Sequence, residues 1–285
     1  MTGPVPGTLR VPGASLHYEV RGRGPLLLLV PGGTGGAASF DGIADELAAE
    51  YTVVAHDPRG IGRSTLDDPA AEQRVAEHAD DALRLLELLS PGEPARVAGV
   101  SSGAIAALHL LTAHPGRVER VVAHEPPVVE VLPDAAEHRA FLARVSETFR
   151  TRGLMPAMAV FAAGLSKDGR ADGADTAAGE REVRAEPLPP TGARAERTMA
   201  GLPFFVGRVV PAFMSYAPDV HRLAAVADRL VLACGEDARG ELPHRSAAAL
   251  AERIGQEPLY FPGGHLGPVT HPAGFAAALR KALRA

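Results

Sequence analysis

The stretch Arg96–Gly103, Arg-Val-Ala-Gly-Val-Ser-Ser-Gly, restricts what this chain can fold into more than any other. Val97–Val100 has the length and composition of a buried strand, and Ala104–His114 reads as a helix. Between them, Gly99-Val100-Ser101-Ser102-Gly103 is a G-x-S-x-G motif in a strand–turn–helix setting. So sharp a turn holds its central residue in a strained conformation and demands small residues two positions either side. It raises a serine hydroxyl at the strand tip, with the Ser102 N–H and a helix N-terminus aimed at any oxyanion formed there. The plain alternative is a small-residue turn that packs a helix on a strand. As a nucleophile, Ser101 needs a base, an acid to orient that base, and a second oxyanion donor from elsewhere in the chain.

The flanking sequence has the rhythm of an α/β protein. Leu9–Val20 alternates around Pro12-Gly13 and predicts an antiparallel hairpin. Strands are expected at Leu26–Val30, Thr52–Ala55, Val118–Ala123, Leu230–Ala233 and Pro258–Phe261. Helices are expected at Ala37–Ala49, Pro69–Leu89, Pro243–Ile254 and Pro272–Leu283. In the second of these, Val75, Ala79, Ala82, Leu83, Leu86 and Leu89 share one face. Strands alternating with helices imply a mostly parallel central sheet flanked by helices on both faces.

From Pro126 to about Pro218 the rhythm stops. Helical stretches are expected around Pro133–Thr151, Leu154–Leu165 and Ala193–Tyr216, with a polar loop at Ser166–Pro190. The division is therefore a core of residues 1–125 and 219–285 and an α-helical cap of residues 126–218. The cap holds six of the nine Phe residues (141, 149, 161, 204, 205, 213) and four of the five Met (155, 158, 199, 214). A few of these suit an adaptable apolar pocket facing the nucleophile, and the rest seal cap against core.

For the base, Pro262-Gly263-Gly264-His265-Leu266-Gly267 follows the last strand, and its glycines let a loop swing His265 toward Ser101. His271, directly before Pro272, is better explained by helix-start geometry. Two positions compete for the acid. Gly235-Glu236-Asp237 follows the Leu230–Ala233 strand, whereas Glu125 stands at the Val118–Ala123 strand tip before Pro126-Pro127, on a rigid backbone. The residues favour Glu125 and leave Asp237 open. The second oxyanion donor is expected from Gly33, in the loop after Leu26–Val30. Asp57-Pro58-Arg59-Gly60 reads as a structural turn held by hydrogen bonds or ion pairs.

Together, Gly32-Gly33, Asp57–Gly60, Gly99–Gly103 and Gly264-His265 resemble the α/β-hydrolase fold across nearly the whole chain. Val100–Gly103, His124-Glu125-Pro126-Pro127 and Gly264-His265 with Val269–Pro272 narrow the resemblance to the zearalenone lactonase group. That group hydrolyses a macrocyclic resorcylic lactone with a Ser–Glu–His triad. The resemblance implies Ser101, Glu125 and His265 as the triad and Gly33 and Ser102 as oxyanion donors. It implies an ester or lactone hydrolase that needs no cofactor or metal. Its cap tryptophan has no counterpart, since this chain contains no Trp.

Composition excludes other classes. A net charge of −5 with scattered Arg residues offers no nucleic-acid footprint. Apolar runs such as Leu26–Val30 are too short to cross a membrane, and Met1–Val11 lacks the apolar segment of a secretion signal. The lone Cys234 allows no internal disulfide and reads as core filler. The expectation is a cytoplasmic protein acting on a small apolar ester or lactone; a homodimer is compatible with it. Two rivals remain. One is a non-hydrolytic relative of the same fold, a cyclase or ligand sensor. The other is an NAD(P)-dependent oxidoreductase, because Gly33-Thr34-Gly35-Gly36-Ala37-Ala38 matches G-x-G-x-x-A and Asp57 ends the next strand.

Overall fold

The alternating start of the chain forms the expected antiparallel hairpin, β1 (Val5–Val11) and β2 (Ala14–Arg21), beginning at Val5 rather than Leu9. The computed structural model describes residues 3–166 and 192–284, so all but Ser166 of the loop expected at Ser166–Pro190 lies outside the described residues. The later strands are β3 (Leu26–Val30), β4 (Thr52–His56), β5 (Thr65–Leu66), β6 (Ala95–Val100), β7 (Val118–His124), β8 (Leu230–Gly235) and β9 (Leu259–Phe261). They assemble in the order β1-β2-β4-β3-β6-β7-β8-β9, with β5 on β2. β2 pairs antiparallel with β4 and β5, and every pair from β4 through β9 is parallel.

The helices are α1 (Asp41–Leu47), α2 (Val75–Leu89), α3 (Ser102–Ala113), α4 (Ala135–Arg152), α5 (Leu154–Leu165), α6 (Gly192–Phe204), α7 (Val210–Met214), α8 (Val220–Ala224), α9 (Leu242–Arg253), α10 (Gly267–Thr270) and α11 (Pro272–Arg284). β3 is buried at all five positions because parallel strands between two helical layers have no wet face. Its side chains alternate between those layers. Leu26, Leu28 and Val30 join the core under α2 and α3, whereas Leu27 and Leu29 join that under α1 and α11.

Three expected helices differ in outline, each for a local reason. The first splits into a 3-10 turn, Gly36–Phe40, and α1, since the Asp57 carboxylate takes the Ala37 N–H and Gly36 has φ +56°. The second starts at Val75, because Arg74 is extended. The stretch Ala193–Tyr216 is broken by a π-turn, Phe205–Val209. Pro203 inside α6 removes a donor, and the ladder rearranges just after it.

Helices α4 to α8 stand between β7 and β8, in the gap where the rhythm stops. Of these, α4, α5 and α7, with the π-turn, share a cluster that includes Phe141, Val145, Ala157, Val206 and Met214 and is joined by Leu242 of α9. The Asp57–Gly60 turn is held as expected. Arg59 Nε and Nη2 donate to Asp81 Oδ2 and Oδ1 at 2.7 and 2.6 Å, both side chains nearly inaccessible. Asp57 accepts the Ala37 N–H (2.8 Å) and the Arg63 N–H (2.8 Å).

Four imidazoles are buried among the described residues, His56, His78, His124 and His244. Burial lowers His56 and His124 to about 4 and His78 to about 3, from an ordinary 6.5. Between pH 6.5 and about 4 the unfolded chain therefore binds protons that the folded chain refuses. Their contribution to stability is full above pH 6.5 and is lost as pH falls through that window. We expect the melting temperature to drop by about 10 °C or more between about pH 7.5 and pH 5 in calorimetry. A level melting temperature across that range contradicts neutral buried imidazoles.

Candidate active site

The Gly99–Gly103 motif works by close approach of backbones. A Cβ on Gly99 would lie 2.6 Å from the Gly103 carbonyl oxygen, and one on Gly103 would collide with the Val30 carbonyl. Only glycine lets β6, α3 and β3 meet this tightly. Ser101, between strand and helix, has φ +53° and ψ −124°. Among the described residues just one other non-glycine has positive φ, Glu125 at +49°. Such a conformation costs about 1–3 kcal/mol and persists where the surroundings enforce it. Here they do: the Ser101 N–H donates to the His124 carbonyl (2.9 Å) and the Glu125 N–H to the Ala233 carbonyl (2.9 Å).

Glu125 is completely buried, yet its carboxylate is fully occupied. Oε1 accepts the Gly235 N–H at 2.8 Å, and Oε2 lies 2.8 Å from His265 Nδ1. Burial by itself would raise the carboxyl pKa. The hydrogen bond to His265, the nearby imidazoles and the Gly235 N–H outweigh it and hold Glu125 below the usual carboxylate range. The His265 side chain is 23% exposed, on the loop between β9 and α10. That loop is tied to the end of β8 by the Asp237 N–H, which donates to the Gly263 carbonyl at 3.0 Å.

Of the two expected acids, Glu125 contacts His265, while Asp237 is exposed and contributes its backbone. His271 Nδ1 faces Thr270 Oγ1 at 3.0 Å, and its carbonyl accepts the Phe275 N–H near the start of α11. Cys234 is buried core, its thiol pushed up to about 12 by burial and by Glu125.

Ser101, Ser102, Gly33 and His265 line one cavity of about 530 Å³. Phe161, Phe205, Phe213 and Met214 from the helical insert share it; Met155 and Met199 are exposed instead. Its described lining contains no Asp, Glu, Lys or Arg. The Gly33 N–H donates to Ser102 Oγ over a long 3.3 Å. Ser102 is the first residue of α3, so its N–H has no intrahelical acceptor.

Sequence reasoning missed the strained backbone of Glu125, the Gly235 N–H that grips it, and the α10 side chains Pro268 and Val269 on the cavity wall. Gly267-Pro268 after a glycine loop was the available signal for α10. Among the described residues no group of three or more His, Cys, Asp or Glu is placed to hold a metal ion. No described helix is long and apolar enough to cross a membrane.

The comparisons with known proteins agree with this architecture. A family model described as the alpha/beta hydrolase fold matches residues 25–153. An uncharacterized hydrolase, YraK, of Bacillus subtilis strain 168 is 33% identical over 283 residues, covering 97% of this chain and 95% of its own. The chain belongs to the α/β-hydrolase family. Zearalenone hydrolase of Bionectria ochroleuca is similar to the hydrolase over a shorter stretch, 32% identical over 121 residues, 40% of this chain and 44% of that one. An esterase structure from Thermogutta terrifontis shares the fold, with a TM-score of 0.71 at 21% identity, covering 99% of this chain and 98% of that one.

Proposed function

We propose that the hydrolase cleaves a neutral ester or lactone through an acyl-enzyme, with Ser101 as nucleophile, His265 as base and Glu125 as the acid that orients it. The observation carrying this reading is the His265 Nδ1–Glu125 Oε2 contact at a cavity that Ser101 also lines. With Nδ1 held by a carboxylate, the neutral imidazole keeps Nε2 as an acceptor. It takes the Ser101 proton as Oγ attacks the carbonyl carbon. The N–H groups of Gly33 and Ser102 hold the developing oxyanion, which replaces the long Ser102 hydroxyl contact of Gly33. His265 then protonates the leaving alkoxide and draws a proton from water for deacylation.

In this reading residues 126–218 cap a core of residues 1–125 and 219–285. The described lining of the cavity, mostly apolar and without Asp, Glu, Lys or Arg, favours a neutral substrate. The partial likeness to zearalenone hydrolase puts lactones on the panel, with Phe161, Phe205 and Phe213 in place of a cap tryptophan. A dinucleotide site fits poorly, because Asp57 is buried with both carboxylate oxygens already bonded. Incubation with a panel of neutral esters and lactones should give products heavier by one water in sum. Turnover with unchanged mass would instead assign isomerisation or cyclisation.

A further inference from the structure

Three hydroxyls in the cavity wall are left over from folding. Thr34, Ser39 and Thr198 line the cavity that holds Ser101, and none makes a side-chain hydrogen bond among the described residues. Several hydroxyls elsewhere are tied down: Ser64 donates to the Asp57 carbonyl, Thr112 to His109 and Ser146 to Leu142. The three also sit together. Ser39 Oγ occupies the space that a Cβ on Gly35 would need, directly beside Thr34. A Cβ on Gly201 would touch the Thr34 Cβ and methyl at 3.4 Å, which sets Thr34 against α6, and Thr198 lies one turn before Gly201 on the same face of that helix. The patch begins two residues after Gly32, whose Cβ position is 2.6 Å from Ser101 Cβ.

We infer that Thr34, Ser39 and Thr198 form a polar subsite that recognises an uncharged oxygen group, a hydroxyl or carbonyl, on the substrate a few bonds from the scissile carbonyl. The inference rests on the proposed hydrolysis at the same cavity and narrows its substrate class to oxygenated rather than plain hydrocarbon esters. A hydroxyl donates and accepts, so the patch pairs with either group. An apolar substrate would instead leave three hydroxyls dry and unpaired. The absence of charged side chains from the described lining removes carboxylate, phosphate and ammonium groups as the recognised feature.

The test compares matched esters: phenyl hexanoate against 3-hydroxyphenyl hexanoate, and against phenyl 6-hydroxyhexanoate. A meta hydroxyl barely alters the leaving group, so a difference reports recognition. At least one oxygenated ester should be preferred about five- to tenfold in kcat/KM. Thr198→Val and Ser39→Ala should bring the preference below about twofold, while Thr198→Ser retains it. Thr198 and Ser39 are only partly buried, so these variants should fold even where Thr34→Val does not. Calorimetric binding of the same esters to Ser101→Ala gives the same ratio without turnover. Absence of turnover with a retained binding preference therefore overturns the hydrolytic reading alone. Equal affinity for plain and oxygenated esters, or a preference that survives these substitutions, overturns the subsite.

Discussion

Ser101→Ala should lower kcat for any accepted ester by at least about a thousandfold. The melting temperature should stay within about 2 °C. Loss of one hydroxyl removes the nucleophile but not the frame that strains it. The Ser101 N–H bond to the His124 carbonyl is backbone, and the close packing of Gly99 and Gly103 does not involve the side chain. Residual activity within tenfold of the parent would assign attack to another group, such as a water activated by His265.

Glu125→Gln should be nearly as damaging, by about a thousandfold or more, although it preserves size and shape. The Glu125 carboxylate can only accept: from the Gly235 N–H through Oε1, and from His265 Nδ1–H through Oε2. An amide can satisfy Gly235 through its oxygen, which turns its NH₂ toward Nδ1. His265 must then carry its proton on Nε2, where it cannot accept one from Ser101. The charge that would stabilise an imidazolium is lost as well. Asp237→Asn, at the exposed alternative acid, should change kcat by less than about twofold. The reverse ranking of the two variants would transfer the orienting role to Asp237.

Much of this was legible in the sequence because steric demands leave compositional marks. Continuous apolar runs such as Leu26–Val30 announce parallel strands covered on both sides, and paired glycines around Ser101 announce backbones in contact. The Ser166–Pro190 loop lies almost entirely outside the described residues, so that expectation stands where it was. Features that depend on partners distant in sequence were not legible. Nothing local to Ala37 shows that Asp57 will take its N–H and break the helix into two. Pro203 signals disruption of a helix, but not that a π-turn will place Phe205 and Val209 on the cavity wall. Spacing alone left Glu125 and Asp237 both open. The distinction depends on β7 and β8 pairing side by side, so that Gly235 meets the Glu125 carboxylate.

The central claim is that the Ser101 hydroxyl is made reactive by His265, itself held by Glu125. Labelling of the intact protein with a fluorophosphonate, followed by peptide mass mapping, tests it most directly. The account predicts a single adduct at Ser101, formed slowly in His265→Ala and absent in Ser101→Ala. An adduct on a different residue, or an unmodified Ser101 in protein that still hydrolyses esters, would contradict it.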